Sequence, residues 1–344
     1  LIMCSCNISG RKQHTRQVDS GDVLLVATGF TSLQNNISRD SLNLLGKYNK
    51  VYYLIADSLL VKHFLSAGYK NFKGIKSADE FQKVASGNYL LTAIAHADGR
   101  FKNLSVNGVD YFAEPARYSM AVKGSRAQFT KFMLTGVTAI TRAAGNAADN
   151  NGHEFSIEKV KPYFIDADLV HISNEVSIIP NCEFIKGTKF CSKEAHFQAL
   201  LDLSCDIVEL TGNHNKDYGS EGFKYTMEWY QKNNIKSFGG GNTPEEANTP
   251  LVITLKDGKK LGFIGFNEKC PINECADNAG DCGANRYNRE KAREVIRKMR
   301  QNLKCDYIIA SVQWQEWDEY KPHEQQKLIA KDLARPHAQE SPDA

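Results

Sequence analysis

Apolar segments in the second half of the chain end in polar side chains of types that bind ligands or metals. These segments are short and rich in β-branched or aromatic residues, which predicts buried strands. In α/β sheets, functional sites gather beyond the carboxyl ends of the strands. We therefore expect one shared rim made by the polar residues that follow four of these segments, namely Asn174 and Glu175, Asn213 and His214, Asn267, and Gln313 with Glu316.

The segment Asp206–Phe223, DIVELTGNHNKDYGSEGF, carries the densest group of such residues. Gly212 would let the backbone approach a ligand closely, while Asn213 offers a neutral oxygen and His214 a ring nitrogen. Asp217 lies three residues beyond His214 and is placed to orient the imidazole. The segment is thus a candidate for the floor of a site.

Together with Glu175, these residue types suit a divalent metal such as Mn, Fe or Zn, with Glu175, Asn213 and His214 as ligands. Glu175, His214 and Asp217 are then the catalytic candidates, since a two-metal site activates water and clamps a phosphoryl group. A polar turn explains the same residues, because Asn213 and Asp217 favour turns and Asp217 or Ser220 could cap the next helix. The spacing alone leaves both interpretations open.

Two further residues each have two interpretations. Arg142 follows the apolar segment 132–141, where it could contact an anion at the rim or lie on the surface without a role. His171 lies within the apolar run LVHIS, and strand alternation allows either a buried sheet histidine or a site residue.

The elements that must position these residues form an α/β pattern. From about residue 129 onwards, strand-like segments alternate with helix-like ones, and Asp257-Gly258 supplies the tight turn of a hairpin. Asn288 is a candidate N-cap of the helix that follows it. Residues 21–128 predict a smaller α/β module, in which we find no chemical motif.

The charge and the ends of the chain limit the partners. The net charge is only +3 and the basic residues are scattered, which argues against nucleic acid as the main partner. Residues 1–20 read as a polar leader in which Leu-Ile-Met-Cys4 resembles the end of a lipoprotein signal, with Cys4 as the lipid anchor. A clipped end without a role is the alternative. Residues 335–344 form a polar tail.

Nine cysteines are present, and several lie in irregular segments. Cys182 and Cys191 flank one such segment, and Cys270, Cys275 and Cys282 lie in another. Neither group has the paired C-x-x-C spacing of a zinc site. Disulfides, and hence an oxidising compartment, are favoured over reduced thiols in a cytosolic protein.

Several motifs in order resemble the CapA-like proteins of capsule and poly-γ-glutamate biosynthesis, which have a calcineurin-like metallophosphoesterase fold. They are ADLVHISNE, DIVELTGNHNKDYG, FGGGNTPEEANTPL, LGFIGFN and ASVQWQEW, and the resemblance covers about Phe132 to Leu333. It implies a four-layer α/β/β/α sandwich over residues 129–334, incomplete at its end. It also implies that Glu175, Asn213 and His214 face a metal or ligand. LTGVTA, ISNE, FCS and VELTGNH together are similar to an extracytoplasmic, lipoprotein-like branch.

Two positions depart from the family's pattern. Gly136-Val137 stands where the broader family has Gly-Asp, so a principal carboxylate ligand is absent. Gln313-Trp-Gln-Glu316 stands where His-Trp-Gly-x-Glu is common, so an amide replaces a good metal ligand.

Three functions follow as hypotheses. The first is a protein of capsule or poly-γ-glutamate biosynthesis or export that binds an anionic polymer or the synthesis machinery outside the cytoplasm. The second is a metal-dependent hydrolase of a phosphoester or amide-linked polymer, and the third is an extracytoplasmic solute-binding module. The ligand-binding candidates are Asn174, Asn267, Gln313, Glu316 and Arg142.

Overall fold

The structure is a computed structural model, and it describes residues 2–4, 23–65, 71–97, 100–114, 116–121, 130–165, 167–184, 187–271, 273–315 and 319–334. Within these residues the chain forms two compact units. The smaller unit comprises the described residues between 23 and 121. The larger unit comprises strand β1 (Ile2–Cys4) and the described residues from 130 onwards.

The smaller unit is built around a mixed five-stranded sheet. Its elements are β2 (Leu24–Gly29), β3 (Asn36–Ile37), α1 (Arg39–Lys47), β4 (Val51–Leu54), α2 (Ser58–Phe64), β5 (Lys73–Ile75), α3 (Ala78–Gln82), β6 (Tyr89–Ala93), β7 (Phe101–Asn103) and β8 (Ser105–Val106). The sheet order is β5-β4-β6-β2-β7, with β2 antiparallel to both of its neighbours. Leu24, Val26, Leu42 and Leu91 are buried together, so this unit has its own hydrophobic core.

The larger unit contains the rim residues, and its helices and strands are joined by loops and short 3-10 turns. Its elements are β9 (Phe132–Thr138), α4 (Arg142–Asn151), β10 (Leu169–Asn174), β11 (Ser177–Ile178), β12 (Cys191–Ser192), α5 (Glu194–Asp202), β13 (Ile207–Glu209), α6 (Gly219–Lys232), β14 (Lys236–Phe238), β15 (Gly240–Gly241), α7 (Pro244–Ala247), β16 (Leu251–Thr254), β17 (Lys260–Asn267), β18 (Gly283–Ala284), α8 (Arg289–Gln301), β19 (Tyr307–Gln313) and α9 (Glu324–Ala334).

Two four-stranded sheets form the centre of the larger unit. One has the order β14-β13-β10-β9 with all strands parallel. The other has the order β1-β19-β17-β16, in which β17 and β19 are parallel and the outer strands are antiparallel to their neighbours. The β16–β17 hairpin turns at Gly258, whose φ of +82° only glycine adopts without strain, and this confirms the predicted turn.

The two sheets pack face to face, and helices cover both outer faces. Between the sheets, one core contains Leu169, Ile207 and Phe238 from the first sheet and Phe263 and Ile309 from the second. Outside the first sheet, α5 and α6 bury side chains against β10 and β13; outside the second, α8 and α9 do the same against β17 and β19. The predicted four-layer α/β/β/α sandwich is therefore confirmed.

Strand β10 shows why these sequences form a buried sheet. Leu169 joins the core between the sheets, whereas Val170 and Ile172 join the core beneath the helices. Because both faces are covered, apolar residues occupy both faces of the strand rather than one. The polar side chains within it, such as His171, are buried as well.

Helix ends and lengths complete the architecture. Asn288 caps α8, and its side chain accepts a hydrogen bond from the backbone N–H of Lys291 at 3.0 Å, as predicted. Among the described helices, none combines the length and apolar character that crossing a membrane requires.

Candidate functional site

The carboxyl ends of β9, β10, β13, β17 and β19 meet. We call the last residue of each of these strands, together with the loop residues beyond it, the rim. Glu175 donates its backbone N–H to Thr138 O at 3.1 Å, which joins the ends of β9 and β10. Across the two sheets, Asn267 Nδ2 donates to Thr211 O at 2.7 Å. Gln313 Nε2 lies 3.4 Å from Asn213 Oδ1. The strand ends predicted to share an edge thus lie together.

His214 and Asp217 form the central pair of the rim. His214 Nδ1 lies 2.8 Å from Asp217 Oδ2, so Nε2 is the ring nitrogen left for a ligand. Burial acts to lower the pKa of His214, but the hydrogen bond with Asp217 and the charges of Asp217, Glu175 and Glu274 outweigh it, and the pKa lies above its ordinary value. The imidazole is therefore biased towards its protonated, cationic form.

Phe190 connects this pair to Arg142. Its backbone N–H donates to Asp217 Oδ2 at 2.6 Å, and its ring meets the His214 ring edge to face at 4.3 Å between centroids. The guanidinium carbon of Arg142 lies 4.1 Å from the centre of the same ring, which is cation–π distance. Arg142 is exposed and begins α4 with a φ of +49°, a rare conformation for a non-glycine residue. Sequence reasoning missed Phe190.

Glu175 lies tightly against Gly212. A Cβ atom added to Gly212 would be 2.8 Å from Glu175 Cγ and 2.9 Å from Glu175 Cα. The half-buried carboxylate of Glu175 also acts on the charge of His214. A glycine is therefore required at 212, because Glu175 packs directly against it.

Glu274 is a second acid of the rim that sequence reasoning missed. Burial and the negative charge of Asp217 raise the pKa of Glu274 above its ordinary value, against the opposing charges of Lys216 and His214. Its Oε2 atom is buried and has no hydrogen-bond partner among the described residues. The only signal in the sequence is its place between two clustered cysteines, Cys270 and Cys275.

Two disulfides close loops at this edge, as predicted. Cys182 pairs with Cys191, and Cys270 pairs with Cys275. The first lies beside Phe190 and the second beside Glu274. Each disulfide therefore closes the loop that brings one of the missed residues to the rim.

The other predicted ligand-binding residues have different surroundings. The Asn174 amide is buried and donates to Tyr230 OH at 2.8 Å and to Val176 O at 2.6 Å. Asn267 is also buried. Its amide nitrogen donates to Thr211 O, and its amide oxygen accepts a hydrogen bond from the backbone N–H of Lys269. Both amides thus fix the loops of the rim, whereas Gln313 meets Asn213. Glu316 lies outside the described residues.

The described rim does not fit a two-metal centre. At the end of β9, Val137 stands with 55% of its surface exposed where a carboxylate ligand would be needed. The side chain 3.4 Å from Asn213 Oδ1 is the amide of Gln313, which is a poorer metal ligand than a histidine or a carboxylate. Among the described residues, the group of three potential ligands whose atoms lie within 4.8 Å of one another is His153, Glu154 and Asp202, which is not at the rim.

The α/β/β/α sandwich with its polar rim defines a protein of metallophosphoesterase-like architecture. The family model described as "Bacterial capsule synthesis protein PGA_cap" matches residues 131–339, which is more than half of the chain. The chain belongs to this family, and the resemblance to CapA-like proteins is confirmed at that level.

Two curated relatives agree with this assignment. The chain is 21% identical over 205 residues to "Capsule biosynthesis protein CapA" of Bacillus anthracis, covering 58% of this chain and 49% of the relative. It is 24% identical over 136 residues to "PGA biosynthesis protein CapA" of Bacillus subtilis, covering 37% and 34%. The chain thus spans half or less of the length of these relatives.

A solved structure is also similar in part. An ABC-type phosphate transport receptor from Vibrio cholerae aligns with 29% of this chain and 53% of its own at 12% identity and a TM-score of 0.25. This likeness is too weak to bear on fold or function.

Proposed function

We propose that this chain acts in capsule or poly-γ-glutamate biosynthesis or export, and that its rim binds an anionic polymer or an assembly partner. The family assignment supports a role in this biosynthesis, because both curated relatives are named as capsule or PGA biosynthesis proteins. We propose a place in the cell envelope, outside the cytoplasm. The sequence suggests Cys4 as a lipid anchor, whereas in the structure Cys4 belongs to strand β1 and pairs with β19. The two disulfides support an oxidising compartment.

One observation carries the proposal for the rim. Arg142 and His214 both lie against the aromatic ring of Phe190, so a guanidinium and an imidazole with a raised pKa share one neighbour at the rim. Guanidinium groups bind carboxylates through two parallel hydrogen bonds, and a cationic imidazole adds a third charge-assisted donor. This arrangement suits a carboxylate-bearing chain more than a neutral one.

The test is the affinity of the whole protein for fluorescently labelled poly-γ-glutamate, measured by anisotropy. We expect Arg142→Gln to weaken binding about tenfold, a typical loss for a charge-assisted hydrogen bond. Arg297→Gln is the matched control, since it removes the same charge from an exposed position on α8. The proposal fails if the Arg142 variant binds as the wild type does, or if the control loses as much.

A metal-dependent hydrolase is the second candidate. The observation that favours it is the pairing of His214 Nδ1 with Asp217, which is how a carboxylate orients a histidine that binds metal through its other nitrogen. Glu175, Asn213 and His214 would hold one ion, which when bound would activate water. Elemental analysis of the purified protein separates the two candidates. Stoichiometric Mn, Fe or Zn that is lost in both His214→Ala and Glu175→Ala would favour the hydrolase.

A further inference from the structure

A second cluster of ionisable side chains lies on the helix layer of the larger unit, at the end remote from the rim. Helix α5 ends at Asp202, and β13 begins at Ile207 and runs towards the rim. A helix that connects two parallel strands runs antiparallel to them, so the end of α5 lies near the amino ends of the strands. His153 and Glu154 come from the 3-10 turn after α4 and meet Asp202 there.

Three side chains of this cluster point their polar atoms at one another. His153 Nε2 lies 3.2 Å from Asp202 Oδ2 and 3.7 Å from Glu154 Oε1. One ligand atom from each residue can be chosen so that all three lie within 4.8 Å of one another. The side chains of His153 and Asp202 are about three-quarters buried, with 24% and 22% of their surface exposed, whereas Glu154 is open to solvent.

We propose that His153, Glu154 and Asp202 bind one divalent cation of the Zn²⁺ type. Zinc is held at about 2.0–2.2 Å by histidine nitrogen and carboxylate oxygen, so the ligand atoms of a tetrahedral site lie about 3.3–3.6 Å apart. The two distances from His153 Nε2 fall on either side of that value. One imidazole and two carboxylates also suit zinc better than Mg²⁺ or Ca²⁺, which prefer oxygen alone.

Two neighbours of Asp202 have opposite effects on the metal affinity expected of such a site. Gln198 Nε2 donates to Asp202 Oδ1 at 3.1 Å, which fixes the carboxylate and leaves Oδ2 towards His153. Hydrogen bonds of this kind to a ligating carboxylate raise metal affinity. Lys161 Nζ lies 3.9 Å from Oδ2 and would compete with the cation for the same oxygen. The ion would join α5 to the segment after α4.

The experiment is a Zn²⁺ titration of the metal-free whole protein by calorimetry, repeated in a His214→Ala background so that the rim does not contribute. We expect His153→Ala and Asp202→Asn each to weaken Zn²⁺ binding by about 100-fold. Glu158→Gln is the matched control, because it neutralises an exposed carboxylate of the same segment that pairs with Lys159. Circular dichroism checks that the variants are folded.

Lys161→Met gives an independent readout in the opposite direction. Removing the competing ammonium should tighten Zn²⁺ binding about three- to fivefold at a site of this exposure. If the three residues form only an ion pair with Lys161, this variant leaves Zn²⁺ binding unchanged or weaker. Unchanged or weaker Zn²⁺ binding by Lys161→Met overturns the proposal, and so does equal Zn²⁺ binding by His153→Ala and the wild type. Both outcomes are independent of whether the rim binds a polymer.

Discussion

Two of the histidine–carboxylate pairs of the larger unit lie in contrasting surroundings, one between the sheets and the other at the rim. His171 Nε2 lies 3.5 Å from Glu209 Oε2, and both side chains are almost fully buried. His214 Nδ1 lies 2.8 Å from Asp217 Oδ2, and this pair is only partly buried. The same residue types therefore serve different purposes, because one pair is closed to any ligand and the other is within reach of one.

The position of each histidine along its strand causes the difference. His171 is the third residue of β10 and points, like Leu169, into the space between the sheets, where its ring is near those of Phe238 and Phe263. His214 comes after the end of β13 and escapes this packing. From the sequence, His171 could be either a core residue or a site residue. The structure places it in the core.

Removing one partner of the buried His171–Glu209 pair should have the largest effect on stability. Burial acts to raise the pKa of Glu209, but the neighbouring His171 imidazole and the hydroxyls of Thr211 and Ser311 outweigh it and lower the pKa. We expect Glu209→Ala to reduce the free energy of unfolding by about 3–5 kcal/mol, since it leaves a buried histidine without its partner. Urea denaturation followed by circular dichroism measures this loss.

The double variant His171→Phe/Glu209→Leu is the control for this prediction. Replacing a buried pair by apolar residues of similar size is often close to neutral, so it should lose much less than Glu209→Ala. Because the pKa of Glu209 is lowered in the folded state, its contribution to stability is present above the ordinary glutamate pKa and is lost as the pH falls through the lowered value. A single variant no less stable than the double one would contradict this account.

Gly212→Ala should have an intermediate effect and damage the rim itself. The new Cβ would be 2.9 Å from the backbone of Glu175, so one of the two loops must move. We expect a loss of about 1–3 kcal/mol in stability and weaker binding of poly-γ-glutamate. Gly136→Ala is the matched control, because a Cβ there meets nothing within 4 Å. Equal effects of the two substitutions would show that the contact with Glu175 has no importance.

The pH dependence of the rim pair should be the smallest effect. The raised pKa of His214 means that its cationic form, and the stability it gives, is fully present below about pH 6.5 and is lost as the pH rises through the higher folded value. Affinity for poly-γ-glutamate should fall over the same range. His214→Gln should remove this dependence while changing stability by less than about 1 kcal/mol. An unchanged pH profile in this variant would assign the dependence to another group.

Much of the framework could be predicted from the sequence, because apolar runs, turns and caps are local signals. The strand ends, the Asp257-Gly258 turn and the Asn288 cap follow from such signals. The partner of a side chain at the end of a strand is not a local property, so the hydrogen bond from Asn174 to Tyr230 could not be foreseen. Phe190 and Glu274 reach the rim through irregular loops, whose paths depend on the disulfides that close them.

The loop closed by Cys182 and Cys191 has a consequence for binding kinetics. The disulfide joins residues nine apart, and Phe190 within the loop touches both Arg142 and His214. A closed loop loses its conformational freedom during oxidative folding rather than when a ligand arrives. Preorganisation of this kind lowers the entropic cost of association. Reduction of this one bond should therefore slow the polymer binding that we propose for the rim, while leaving the sandwich beneath it folded.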